Sequence, residues 1–327
     1  MDACQCGDCP VRSSARMTQP AKISRAAALA AMGERNPVKR RRAFLLLCLV
    51  PALVVLALLL VYPLFYNAVL SLSDAGAERM RDWRLVGLQQ YAAAFREPEF
   101  WIIFSKTIIW TVVGTALQVA LGVALGLILH QQFIAGQSAW RLLLLLPWAV
   151  PQYIAALTWR GMFEGTHGAV NSFLGTAFGM PPIDWLNSAF ETFTAAILVN
   201  VWMGFPFMMI VVLSGLQSIP ANIYEAARLE GAGAWCQFSK LTAPLLRPVM
   251  VPAATLGIIW NFNNMNAIWL FSNGGAPDDS THILVSYVYK AAFTYYQYGW
   301  AAALSVVIFV ILFLFVQGFL QLSRPSK

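Results

Sequence analysis

Six stretches of the chain are apolar for about twenty residues or more, the length needed to cross a bilayer as a helix. They run over 43–65, 107–130, 141–160, 192–217, 248–272 and 299–321. No Asp, Glu, Lys or Arg falls inside five of them, and the third is bounded by Arg141 and Arg160, which can reach the two interfaces. The pattern therefore predicts an all-α membrane protein with six transmembrane helices. The first stretch follows Lys39-Arg40-Arg41-Arg42. It is too long for a signal peptide and no small-residue cleavage site follows it, so it reads as an anchor that stays.

Composition agrees. Of 327 residues 59% are hydrophobic and only 11% charged, against about 25% charged in a soluble domain. Mean hydropathy is +0.62. Lys and Arg divide unevenly between the two sides that six spans define. Fifteen fall with the termini and seven on the other side, so the positive-inside rule predicts both termini in the cytoplasm. The domain expectation is a basic, disordered cytoplasmic tail over 1–42 and a transmembrane domain over 43–327. Cys4, Cys6 and Cys9 in that tail lack a fourth metal ligand nearby and read as incidental thiols. The outer loops are expected over about 73–106, 161–191 and 273–298.

The one sizeable inner loop, 218–247, carries a helix pattern of its own. Asn222 is a good cap with Glu225 three residues on, as in a capping box. Ala226, Ala227, Arg228 and Leu229 favour helix, and Gly231 and Gly233 can end it. From composition alone this is as well read as an ordinary amphipathic surface helix. The spacing of Glu225-Ala226-Ala227, Gly231, Leu241 and Pro244 resembles the EAA signature of permease subunits of ATP-binding-cassette importers. Further runs resemble the carbohydrate branch in the same order: Tyr62-Pro63-Leu64, Val86-Gly87-Leu88, Leu146-Pro147-Trp148, Asn261-Phe262-Asn263-Asn264 and Asn273-Gly274-Gly275. The likeness covers about 43–322 and is greatest to the larger membrane subunits of maltose and maltodextrin importers.

That resemblance implies a type I importer permease (MetI-like) fold in the inner membrane. It implies a coupling helix within 218–247, with Glu225, Ala226, Ala227, Gly231 and Pro244 as the residues that couple it to a cytoplasmic ATPase. The implied partners are a second, homologous permease subunit, two ATPase subunits carrying ATP and Mg, an extracytoplasmic solute-binding protein and an oligosaccharide, maltose-type by preference. No nucleic acid is implied. This chain itself would bind no cofactor and catalyse no reaction.

The residues bear on that reading independently. A chain that hydrolysed ATP would need a GxxxxGK[ST] loop, and the sequence has none. The span interiors lack ionisable residues, which disfavours proton coupling; sodium coupling through carbonyls and hydroxyls stays open, so an ion-coupled secondary sugar carrier is the alternative. His130, His167 and His282 are far apart and in no metal-binding motif. Asn261 and Asn264 share a helical face with Trp260, Trp148 and Gln152 stand four apart in the third span, and Met203 and Phe207 four apart in the fourth. Carboxamides suit sugar hydroxyls, but hydrogen bonding between spans explains them equally well. The family's sugar pocket, carried over through the local motifs, falls on Trp148, Gln152, Met203, Gly204, Phe207, Gly257, Trp260, Asn261 and Asn264. At Trp148, Gln152, Phe207 and Gly257 the family pattern has hydroxyl-bearing residues.

Overall fold

A computed structural model describes residues 37–79, 81–131 and 135–322. The tail with Cys4, Cys6 and Cys9 lies outside them. The chain divides into two compact units, one ending at Leu64 and one starting at Phe65. The first contains α1 (Pro37–Leu56), a π-helical turn over Ala57–Val61 and the start of α2 (Tyr62–Leu70). Helix thus begins at Pro37, inside the segment expected to be tail.

The second unit is helical too, and its extended residues form no strand among those described, only one isolated bridge between Ser73 and Leu85. Its elements are α3 (Gln89–Arg96), α4 (Pro98–His130), α5 (Gln137–Ala149), α6 (Gln152–Met162), α7 (Ala169–Phe178), α8 (Ala189–Gln217), α9 (Ala221–Leu229), α10 (Ala234–Gln237), α11 (Ala243–Phe262), α12 (Met265–Phe271), α13 (Leu284–Phe293) and α14 (Tyr298–Leu322). A second π-turn, Phe238–Thr242, fuses α10 to α11 into one rod of 29 residues, Ala234–Phe262. Among the described residues five helices are long and apolar enough to span a bilayer, and there are six if the pair α5–α6, bent by 93°, is counted as one broken span.

Three of the differences from the pattern have a local reason. The helix of the second span starts nine residues early, because Pro98 at the first helical position and Glu99 in the first turn nucleate it there. The third span is not straight. Pro151 forces Val150 into extended geometry (φ −74°, ψ 130°), and the helix stops and restarts. The fifth stops at Phe262 instead of 272. Asn263 and Asn264 leave the helical region, Asn263 Nδ2 donates to the Ile259 carbonyl, and Asn264 Oδ1 accepts from the Ala267 N–H to cap α12. Carboxamide side chains compete with the backbone ladder in this way.

The core is α4 against α8. A Cβ on Gly122 would lie 2.5 Å from Met208 Cβ and 2.8 Å from the Met209 nitrogen, so only glycine lets the two backbones approach so closely. Gly126 meets Val212 one turn on. The rod α11 lies against both helices. On one flank α6 and α12 pack with α8 around Trp110, Phe163 and Phe271; on the other, α3, α13 and α14 pack around Phe100, Leu284 and Leu304. The segments expected as outer loops are thus partly helical. One is pinned by Asn171, whose Nδ2 donates to the carbonyls of Gly165 and Ile183 and whose Oδ1 accepts from Trp185 Nε1.

Candidate functional site

Both helix breaks face the same space. An open cleft lies between them. The break between α5 and α6 presents Trp148 and Gln152. From α8 come Met203, Gly204 and Phe207; from α11, Gly257, Trp260 and Asn261; from the turn after it, Asn264. All nine residues expected at the pocket thus meet there. Trp148 and Gln152 do so across a bend, not along one helical face, and Asn264 does so as a cap, not as a helical neighbour of Trp260.

Gln118, Asn200 and Met208 also line the cavity, and the sequence reading passed over all three. For Gln118 and Asn200 the available signal was a lone carboxamide in an otherwise apolar run, since polar side chains in a membrane helix face the bundle or a cavity; nothing in the sequence marked Met208.

These carboxamides decide what the pocket floor does. Asn261 Nδ2 donates to Thr115 Oγ1 at 2.8 Å and to Gln118 Oε1 at 2.9 Å. Its Oδ1 accepts from Asn200 Nδ2 at 3.0 Å and from Gln118 Nε2 at 3.2 Å. Gln118 Nε2 also reaches the Asn200 carbonyl, and Trp110 Nε1 donates to the backbone carbonyl of Asn261. Two donors and two acceptors are all a carboxamide has, so the buried Asn261 side chain is saturated by its neighbours. In this arrangement Asn261 ties α4, α8 and α11 together beneath the cavity. Gly204 belongs to the same device, because a Cβ there would sit 2.2 Å from Gln118 Nε2.

The upper wall is different. Trp148 is 55% exposed and Trp260 51% exposed, with Gln152 open beside them. The Trp260 and Phe207 rings meet at 5.0 Å between centroids, inclined by 56°. Asn264 is half-buried; its Nδ2 donates to Asn200 Oδ1 at 2.9 Å, and one N–H remains. The cavity therefore joins open aromatic faces to a few polar groups over a closed polar floor.

At the other end of the rod, α9 projects from the bundle. Pro220, not Asn222, occupies its N-cap position, and no side chain caps it. The expected capping box is absent because the helix opens two residues earlier, on the extended geometry of Pro220. Glu225, Ala226 and Arg228 are exposed, and Leu229 is 91% exposed. The helix ends in a Schellman turn: Ala232 N donates to the Ala227 carbonyl at 2.9 Å and Gly231 N to the Arg228 carbonyl at 3.0 Å. Gly231 has φ +79°, a conformation costly for any residue with a Cβ. Pro244 stands in the first turn of α11 and is exposed.

Comparison with known proteins places these features in context. The model of the family described as "Binding-protein-dependent transport system inner membrane component" matches residues 118–324. A probable ABC transporter permease protein of Brucella suis is 37% identical over 238 residues, which is 72% of this chain and 82% of that protein. A galactooligosaccharides transport system permease protein of Bacillus subtilis is 33% identical over 274 residues, 80% of this chain and 65% of that one. Among solved structures, a chain of a bacterial ABC transporter involved in import of the acidic polysaccharide alginate superposes with a TM-score of 0.74 at 19% identity, over 88% of this chain and 98% of that one. At that identity the likeness is one of fold.

Proposed function

The chain belongs to the family of binding-protein-dependent transport system inner membrane components, and from that premise we propose that it is the membrane-spanning permease subunit of an ATP-driven oligosaccharide importer. The observation that carries the substrate side is the cavity between two broken spans. Broken helices are tolerated at membrane depth where they line a cavity, and this one offers indole faces for the apolar faces of sugar rings. Trp148, Phe207 and Trp260 supply stacking surface. Gln152 and the spare N–H of Asn264 supply hydrogen bonds. The galactooligosaccharide relative supports the oligosaccharide class; a maltose-type glucoside is the best-fitting member on the local motifs.

In this reading α9 is the coupling helix. Glu225, Ala226 and Ala227 dock on a cytoplasmic ATPase, Gly231 shapes the turn behind them, and both termini lie on the same side. A second, homologous permease subunit completes the translocation path, each docked on one of two ATPase subunits that hold ATP and Mg. An extracytoplasmic solute-binding protein delivers the sugar. Closure of the ATPase pair moves the coupling helices, and the cavity turns from one face of the membrane to the other.

The test is ATP hydrolysis by the complex purified in mild detergent through a tag on this chain. It is run with and without the binding protein, over a panel of gluco- and galactooligosaccharides, beside Glu225→Ala. Co-purified ATPase activity that rises with one sugar and falls in the variant is the expected result. A chain that purifies with no ATPase, yet moves sugar in liposomes, would establish the ion-coupled carrier instead.

A further inference from the structure

The link between α9 and the rod is short and glycine-bearing: Gly231-Ala232-Gly233, with Gly231 in the left-handed region. Left to itself such a link is a swivel. A push on α9 would be absorbed there before it reached the rest of the chain.

Side chains bridge the swivel. The Tyr224 hydroxyl lies 3.0 Å from Thr242 Oγ1. Thr242 is buried and ends the π-turn, and its hydroxyl donates to the Gln237 carbonyl at 3.3 Å. With the Thr242 proton committed there, Tyr224 is the donor between the two hydroxyls. Gln237 in turn donates through Nε2 to the Ala232 carbonyl at 2.7 Å, inside the swivel itself. Tyr224 stands beside Glu225, so one side of α9 is bonded to the rod while its neighbour is exposed. The rod then runs unbroken to Trp260, which at 1.5 Å per residue is about 27 Å from Thr242.

We propose that the Tyr224–Thr242 hydrogen bond, braced by Gln237, is a clasp that makes α9 and the helix bearing Trp260 one moving body. Tyr224 and Thr242 are thereby positioning residues for coupling ATP hydrolysis to sugar movement. The inference rests on the permease reading above and deepens it. The π-turn has a role in it as well. Such turns recur at functional positions within helices, and here it ends at Thr242, the residue that meets α9. A single neutral hydrogen bond adds little to the folding of a bundle this size. What it changes is where the structure bends under load.

The experiment uses the whole complex in proteoliposomes and reads sugar moved per ATP hydrolysed, alongside the amount of ATPase bound per permease. Tyr224→Phe and Thr242→Val are expected to lower that ratio several-fold each with the ATPase still bound. The double variant should be no worse than either single, because both remove one bond, and Thr242→Ser should restore the ratio. Spin labels on Arg228 and Arg247, both exposed, give a readout independent of transport: their distance distribution should broaden in Tyr224→Phe. An unchanged ratio and an unchanged distribution would overturn the clasp. So would single-variant losses that multiply in the double, or that track lost ATPase. A wild-type complex with no ATPase at all would overturn the permease reading and the clasp with it, whereas normal wild-type coupling with indifferent variants would overturn the clasp alone.

Discussion

The floor of the cavity and the outer face of α9 use polar residues in opposite ways. At the floor, Gln118, Asn200, Asn261 and Thr115 bond to one another and are buried. On α9, Glu225 and Arg228 are exposed, and Leu229 beside them is an exposed apolar residue. A membrane interior offers no water to an unpaired group, so polar residues there are either bonded internally or face a cavity. A surface helix has water for its polar groups, so an exposed leucine there has no folding purpose. The buried set therefore holds geometry, and on the permease reading proposed above the exposed set is where a partner would dock. The first should be costly to the fold when changed, and the second costly only to assembly.

The largest effect is expected at Asn261. Replacing it with Ala strands Gln118, Asn200 and Thr115, each bonded to its side chain. Breaking a buried network leaves unsatisfied groups at about 1–3 kcal/mol each, so a loss of at least ~3 kcal/mol is predicted, read as a fall in the melting temperature in detergent. If Asn261→Ala melts like wild type and loses only sugar binding, the floor is a substrate site and the comparison fails.

Gly122→Val tests the same floor from beneath. Its Cβ would overlap Met208, and overpacking of this kind costs about 1–3 kcal/mol. Met208→Ala keeps the overlapping Cβ and backbone, so the double variant should melt no higher than Gly122→Val; rescue would show that the Met208 side chain beyond Cβ, and not the backbone approach, is responsible.

His282 gives the comparison a pH dimension on the far side of the molecule. It is 2% exposed, its Nδ1 meets Ser286 Oγ at 3.2 Å, and its Nε2 faces Asp279 Oδ1 at 3.6 Å. Burial, together with the positive charges of Lys290 and Lys106 and against the pull of Asp279, pushes its pKa from 6.5 down to about 4. Between those values the unfolded chain takes up a proton that the folded chain refuses. Stability from this group is thus complete above 6.5 and declines as pH falls toward 4. The loss is on the order of 1–3 kcal/mol. His282→Gln should flatten that part of the pH–melting profile.

Much of this architecture was legible because charge is so costly in a span: its absence over 192–217 or 299–321 admits few readings, and α8 and α14 fall on those stretches. The breaks were less legible. Pro151 marked one, but Asn264 was read as sharing a helical face with Trp260 and Asn261 when its side chain in fact caps the next helix. The floor was half legible for a related reason. Asn261 stands in a conspicuous cluster, whereas its partners Gln118 and Asn200 are single residues 82 positions apart, and only tertiary structure brings them together. The role of Tyr224 was invisible, since nothing in sequence pairs it with a threonine across a glycine-bearing turn.

The smallest effect on the fold, and the sharpest test of the contrast, belongs to Leu229. Its side chain is almost wholly exposed at the end of α9, so Leu229→Ser removes no buried area within this chain. Such surface changes shift stability by no more than about 0.5 kcal/mol. The melting temperature of the isolated chain should therefore stay where it is. In a complex the same leucine is a candidate anchor, because an exposed apolar side chain rimmed by Glu225 and Arg228 has the make-up of an interface patch. The predicted outcome is a permease that folds normally, binds sugar normally and recovers several-fold less ATPase on purification. A variant that melts early would mean that Leu229 packs within this chain and that α9 is part of the fold. A variant indifferent in both assays would reduce α9 to a solvated surface helix. Only the split result, fold intact and partner lost, fits a helix whose exposed face exists for another subunit.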